Sequence, residues 1–133
     1  MLERTIAIRW RDMDAYGHVN NAVYLTYLEE ARDAWVQQML GSVTDTWHFV
    51  LARVAIDFKQ ELTQDDERVV VRCSLASVGR GSIRTREEIV RRDGSLSAVA
   101  ESVIVPRDPA TLRSRPLTED ERGALERDAA PSS

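Results

Sequence analysis

The sequence predicts an α+β fold, a curled antiparallel sheet around one long helix, on three observations. Apolar residues recur at helical spacing in only one extended stretch. After it the apolar period switches to two, in four successive runs. Short polar or glycine-bearing connections separate those runs, as in sheets built from hairpins.

The elements follow in order. Residues 2–10 alternate, with Leu2, Arg4, Ile6, Ile8 and Trp10 on one side, and predict a first strand. A polar segment with Gly17, Asn20 and Asn21 follows. Tyr24, Tyr27, Leu28, Ala31, Trp35 and Met39 then form a single apolar stripe. The helix predicted there has about 17 residues and a length of roughly 25 Å. Asn20 or Asn21 suits its N-cap, and Gly41 suits a left-handed C-terminal cap. Phe49–Phe58, Arg68–Val78, Ser82–Arg92 and Leu96–Val105 read as strands rich in Val, Ile, Ser and Thr. Their connections include Gly79-Arg80-Gly81 and the hairpin signal Asp93-Gly94. Thr118-Glu119-Asp120-Glu121 has the capping-box pattern of a short last helix, and Ala129–Ser133 is expected to fray. Residues 1–128 are read as one domain. The sheet keeps free edges that a second copy can cover.

The chain has 133 residues, 43% of them hydrophobic and 30% charged, with a formal net charge of −4. That balance argues against a general nucleic-acid binder, whose affinity comes from phosphate neutralisation. The amino terminus carries no signal-peptide apolar region, and no run approaches the ~20 apolar residues of a membrane helix. The expected compartment is the cytoplasm, with no membrane insertion. The one cysteine, Cys73, lies in an apolar stretch and reads as a core thiol.

The segment Arg9-Trp10-Arg11-Asp12-Met13-Asp14-Ala15-Tyr16-Gly17-His18-Val19-Asn20-Asn21 carries the chemistry. It sets carboxylates, a glycine turn and the start of a helix within a few residues. Leading helical N–H groups have no internal partner and carry partial positive charge, so they suit a developing oxyanion. A nearby carboxylate can attack a carbonyl or activate water. Each residue also has a plainer reading. Asp14 is a common turn residue, Asp12 ties down the turn, His18 is a hydrogen-bonding turn residue, and the asparagines cap the helix. Tyr24 and Tyr27 read as core or pocket wall, and Glu30 and Arg32 as solvated ion-pair partners.

Asp-x-Asp-x-x-Gly-His-Val-Asn-Asn-x-x-Tyr, followed by Leu-Glu-Glu-Ala-Arg, resembles the signature of hotdog-fold acyl-CoA thioesterases of the 4-hydroxybenzoyl-CoA thioesterase branch. It is closest in flavour to bacterial long-chain acyl-CoA thioesterases. The resemblance implies hydrolysis of an acyl-CoA to a carboxylic acid and CoA, with no cofactor or metal. It makes Asp14 the catalytic carboxylate and the backbone N–H of Asn21 the oxyanion donor. Gly17, His18 and Tyr24 would contact substrate, with Arg80 and Arg84 as first candidates for the CoA phosphates, Lys59 next and Arg91-Arg92 after that. It also implies a homodimer or homotetramer with active sites between subunits. Where the family often has proline after the second strand, this chain reads Phe58-Lys59-Gln60-Glu61-Leu62. An acyl-carrier-protein thioesterase and a non-catalytic acyl-CoA binder are the alternatives; a hotdog dehydratase would want a histidine with a separate acidic partner.

Overall fold

The computed structural model describes residues 1–129, and its elements follow the expected order. They are β1 (Leu2–Ala7), α1 (Asn21–Leu40), β2 (Phe49–Phe58), β3 (Arg68–Val78), β4 (Ile83–Val90), β5 (Leu96–Pro106) and α2 (Glu119–Ala129). β2 and β3 match the periodicity at both ends. β1 stops earlier than read, because the Ile8 amide bonds the Glu67 carbonyl and the chain then enters a 3-10 turn at Trp10–Asp12. β4 is shorter at each end, since Ser82 and Arg91 are taken into hairpin turns. The last helix has its capping box. Glu121 N–H donates to Thr118 Oγ1 at 3.1 Å, and Thr118 N–H donates to Glu121 Oε1 at 2.8 Å. Ala129 closes that helix rather than fraying, and the rest of the expected tail lies outside the described residues.

One five-stranded antiparallel sheet has the order β1-β3-β4-β5-β2, so β1 and β2 are its edges. Register shifts at Leu51/Arg53, Leu75/Ser77 and Ile89/Val90 bend the strands. The sheet thereby curls over α1, which packs on β1, β3 and β4. Leu28, Ala31 and Trp35 from the helix stripe, with Leu40 in place of the partly buried Met39, meet Val69, Val71 and Ile89 from the sheet in one core. Cys73 lies in it, as expected of a core thiol, and burial pushes that thiol up to about 12. Among the described residues, no helix is long and apolar enough to cross a membrane.

Three details depart from the sequence reading or complete it. Gly41 caps α1 in a right-handed conformation (φ −61°, ψ −22°), not a left-handed one, because the chain continues in a tight turn bonded back to Leu40. Arg32 is not solvated: it is 4% exposed, and its Nε donates to Glu87 Oε1 at 2.9 Å. Thr85 and Ser102 donate to the same carboxylate, so the buried charge is surrounded by donors.

Asp12 is the third. It is 1% exposed, and its carboxylate accepts from the Arg9 amide at 2.9 Å, the Arg9 guanidinium, and the Tyr27 hydroxyl of α1 at 2.7 Å. Burial alone would raise its pKa; the Arg9 amide, the Tyr27 hydroxyl and the Arg9 guanidinium outweigh that and hold it below the ordinary value. The plain reading of Asp12 as the residue that ties down the turn therefore holds.

Removing one donor with Tyr27→Phe is expected to cost about 1.5–3 kcal/mol at pH 7, the range for a hydrogen bond to a charged group. The folded carboxyl is lowered, so its contribution is complete above the ordinary value of 3.8 and fades as pH falls through the lowered one. Urea titrations of both proteins at pH 7 and stepwise below pH 4 are expected to show the gap narrowing with acid. Breaking the other buried pair with Arg32→Met is expected to cost about 3–5 kcal/mol in the same assay, since Glu87 is left buried without its counter-ion.

Candidate active site

From the Asp12 anchor the chain runs through a tight hairpin into α1. Met13 and Val19 form an isolated antiparallel bridge. Asp14 N–H donates to the His18 carbonyl at 2.8 Å, and Gly17 N–H to the Asp14 carbonyl at 3.2 Å. Gly17 has φ +80°, a left-handed conformation that side chains resist, so glycine is what allows the reversal. Asn20 then returns to the anchor, its amide donating to the Asp12 carbonyl at 2.9 Å.

Asp14 serves the hairpin with only half of its carboxylate. Oδ1 accepts from the Tyr16 amide at 2.9 Å and the His18 amide at 3.3 Å. Oδ2 has no partner among the described residues. The turn reading of Asp14 thus describes one oxygen and leaves the other open for chemistry.

The leading turn of α1 is similarly divided. Asn20 caps it: its Oδ1 accepts from Ala22 N–H at 2.9 Å, and its carbonyl accepts from Val23 N–H at 2.8 Å. The Asn21 N–H, first of the helix, has no partner among the described residues. Asp14 and Asn21 line one cleft of about 380 Å³ with His18, Tyr24, Phe58 and Lys59.

Long-range bonds build the far wall. Val19 N–H donates to the Leu62 carbonyl, and the Lys59 and Gln60 amides both donate to the Ser97 carbonyl. Ser97 Oγ donates to the Gln60 carbonyl at 2.7 Å and lies 3.4 Å from the Tyr24 hydroxyl. Phe58 meets Tyr24 edge-on, with centroids 5.0 Å apart. Burial, first of all, raises the Tyr24 phenol, so it stays neutral and acts as wall and donor.

The structure therefore brings together Asp14, Asn21, His18, Tyr24 and Lys59. Gly17 shapes the hairpin and opens onto an adjoining cleft that Asp14 also lines. Arg80 and Arg84 are elsewhere. Arg80 sits in the β3–β4 turn, and Arg84 pairs with Glu101 across the sheet at 2.7 Å. The Arg91-Arg92 pair is engaged by Asp66 and Glu67.

Phe58 and Glu61 were not foreseen as site residues. Glu61 Oε2 lies 3.1 Å from His18 Nε2. The only available signal was adjacency to Lys59, since the approach of this segment to α1 depends on tertiary packing.

A larger cavity of about 650 Å³ lies between the distal part of α1 and the start of β2, lined by Arg32, Asp33, Val36, Trp47 and Leu51. It holds carboxylates but not the start of an α-helix, and the short 3-10 turn at Thr46 is capped by Asp45, so the smaller cleft is the better fit to the chemistry. No cluster of three or more His, Cys, Asp or Glu among the described residues is placed to hold a metal.

The family model described as the thioesterase-like superfamily matches residues 8–125. A thioesterase from Thermus thermophilus, solved with coenzyme A and zinc, is 30% identical over 97% of this chain and 95% of its own, with a TM-score of 0.85. A probable thioesterase from Escherichia coli is 26% identical over 98% and 100%, with a TM-score of 0.80. A gentisyl-coenzyme A thioesterase is 18% identical over 93% and 99%, with a TM-score of 0.78, a likeness of fold. Comparison with curated proteins returns no match. The curled sheet around α1 is the hotdog fold, and the chain belongs to the thioesterase-like superfamily.

Proposed function

We propose that this thioester hydrolase acts on acyl-CoA, releasing a carboxylic acid and CoA, with Asp14 as its catalytic carboxylate and the Asn21 N–H as oxyanion donor. One observation carries the reading: Asp14, with one carboxylate oxygen unengaged, and Asn21, with the unpaired first N–H of a long helix, line the same cleft. A thioester carbonyl directed at that N–H gains charge on oxygen as its carbon is attacked, and a fixed donor holds that charge. Asp14 Oδ2 either attacks the carbon itself or takes a proton from an attacking water. Rapid quenching of a single turnover with radiolabelled acyl-CoA separates the routes, because only attack by Asp14 leaves the acyl group covalently on the protein.

The CoA half of the substrate is supported by the Thermus thermophilus thioesterase captured with coenzyme A. Lys59, the only lysine in the chain, stands at this cleft and suits a phosphate or pantetheine contact. Gly17, His18 and Tyr24 complete the substrate contacts within one chain. Arg80 and Arg84 enter only if a second copy brings them to the cleft. The unpaired edge of β2, with Leu51 and Phe58 exposed, supports assembly as a homodimer or homotetramer. Phe58 and Lys59 end that strand at the cleft, so a partner on this edge would stand beside the site.

Thiol release from short, long and aromatic acyl-CoAs, with matched acyl-carrier substrates alongside, tests the reading. Asp14→Asn keeps an oxygen for the Tyr16 and His18 amides, so the hairpin should survive while turnover falls about 10²–10⁴-fold. Wild-type turnover in that variant would move the chemistry elsewhere. Acyl-CoA binding without thiol release in the wild type would make the protein a binder.

A further inference from the structure

Glu61 faces the cleft without a role in the reading above, and its side chain's one polar partner among the described residues is His18. We propose that Glu61 is a positioning residue that holds the His18 imidazole as the base for the hydrolytic water. This deepens, and rests on, the acyl-CoA hydrolase reading.

The need for a second base follows from the chemistry of a carboxylate nucleophile. When Asp14 Oδ2 bonds to the acyl carbon, the carbon–sulfur bond breaks and sulfur leaves with the electron pair. Asp14 is then half of a mixed anhydride and can no longer accept a proton. Water must attack the same carbon, give up a proton, and expel the Asp14 carboxylate. The acid departs, and the proton passes through its acceptor to the CoA thiolate or to solvent.

Few groups in the cleft suit that acceptor. Lys59 is a cation, and the Tyr24 phenol is held neutral and lies against Ser97. Glu61 and His18 remain, and of the two only His18 is also bonded to Asp14. Its main-chain N–H donates to Asp14 Oδ1 at 3.3 Å, which roots the residue at the carboxylate. Its Nε2 lies 3.1 Å from Glu61 Oε2 on the opposite wall. The negative charge of Glu61 at that distance favours the tautomer with its proton on Nε2, which leaves the Nδ1 lone pair as the acceptor. A carboxylate that sets an imidazole tautomer is the orienting part of a triad, here with the water in place of a serine. Glu61 and His18 are 71% and 40% exposed in their side chains, so the contact is weaker than a buried one.

The test uses the full chain and one acyl-CoA substrate. Glu61→Ala is expected to lower kcat about tenfold, well below the ~10⁴ of a buried triad carboxylate, with KM unchanged. Glu61→Gln, which restores an acceptor, is expected to recover part of the loss. In a His18→Ala background, Glu61→Ala should have no further effect. The chain has two histidines, so ¹⁵N spectra of neutral imidazole resolve His18 with His48→Gln as the assignment control. The Nε2–H tautomer should dominate in wild type and give way to a mixture in Glu61→Ala. Unchanged kcat in Glu61→Ala, an equal loss in the His18→Ala background, or an unaltered tautomer would each overturn the role of Glu61. If Asp14→Asn is inactive in the same assay, such a failure leaves the hydrolase reading standing. If Asp14→Asn is as active as wild type, that reading falls and takes this one with it.

Discussion

The site depends on one buried carboxylate that does no chemistry in this account. Asp12 joins three parts of the chain: Arg9 at the end of the first strand, Tyr27 one turn and more into α1, and Asn20 through its own carbonyl. Residues 13–19 are thereby closed into a loop whose two ends are fixed at the same point. A carboxylate in the interior is stable only when its oxygens are supplied with donors, and here Arg9, just past the first strand, and Tyr27 of the helix provide them. The geometry of Asp14 against the helix start follows from that closure.

Within the loop, polar atoms are divided between those that hold the hairpin and those left unengaged. Oδ1 of Asp14 holds two amides, and Asn20 satisfies two of the leading helical donors. What is left over is one carboxylate oxygen and the Asn21 N–H, on two residues that line a cleft walled by Tyr24 and Phe58. Unpaired main-chain donors are costly when buried, but at a cleft they are free for a ligand. The same logic extends to Glu61 and His18, which complete the wall nearest the hairpin.

The fold was legible because its signals are periodic. The stripe of α1 and the alternating strands β2 to β5 are local patterns that tertiary packing had no reason to overrule, and the capping box at Thr118 formed as read. The site was legible where its residues are contiguous, from Asp12 to Tyr24. It was illegible where contacts are distant in sequence. Arg84 looked like a phosphate ligand, yet the β4–β5 register sets it near Glu101. Arg32 looked solvated because arginine normally is; a buried glutamate on β4 reversed that, and no local pattern announces a buried ion pair. Gly41 suggested a left-handed cap, but the following turn required a right-handed residue.

The central claim is that a thioester carbonyl in this cleft is polarised by the helix start while facing Asp14. Infrared spectra of a ¹³C=O-labelled acyl-CoA bound to the Asp14→Asn protein, in which the substrate persists, measure this directly. The carbonyl stretch is expected at lower frequency than in free acyl-CoA, the mark of a strong donor on the oxygen. A bound carbonyl with the frequency of the free ligand in water would contradict it.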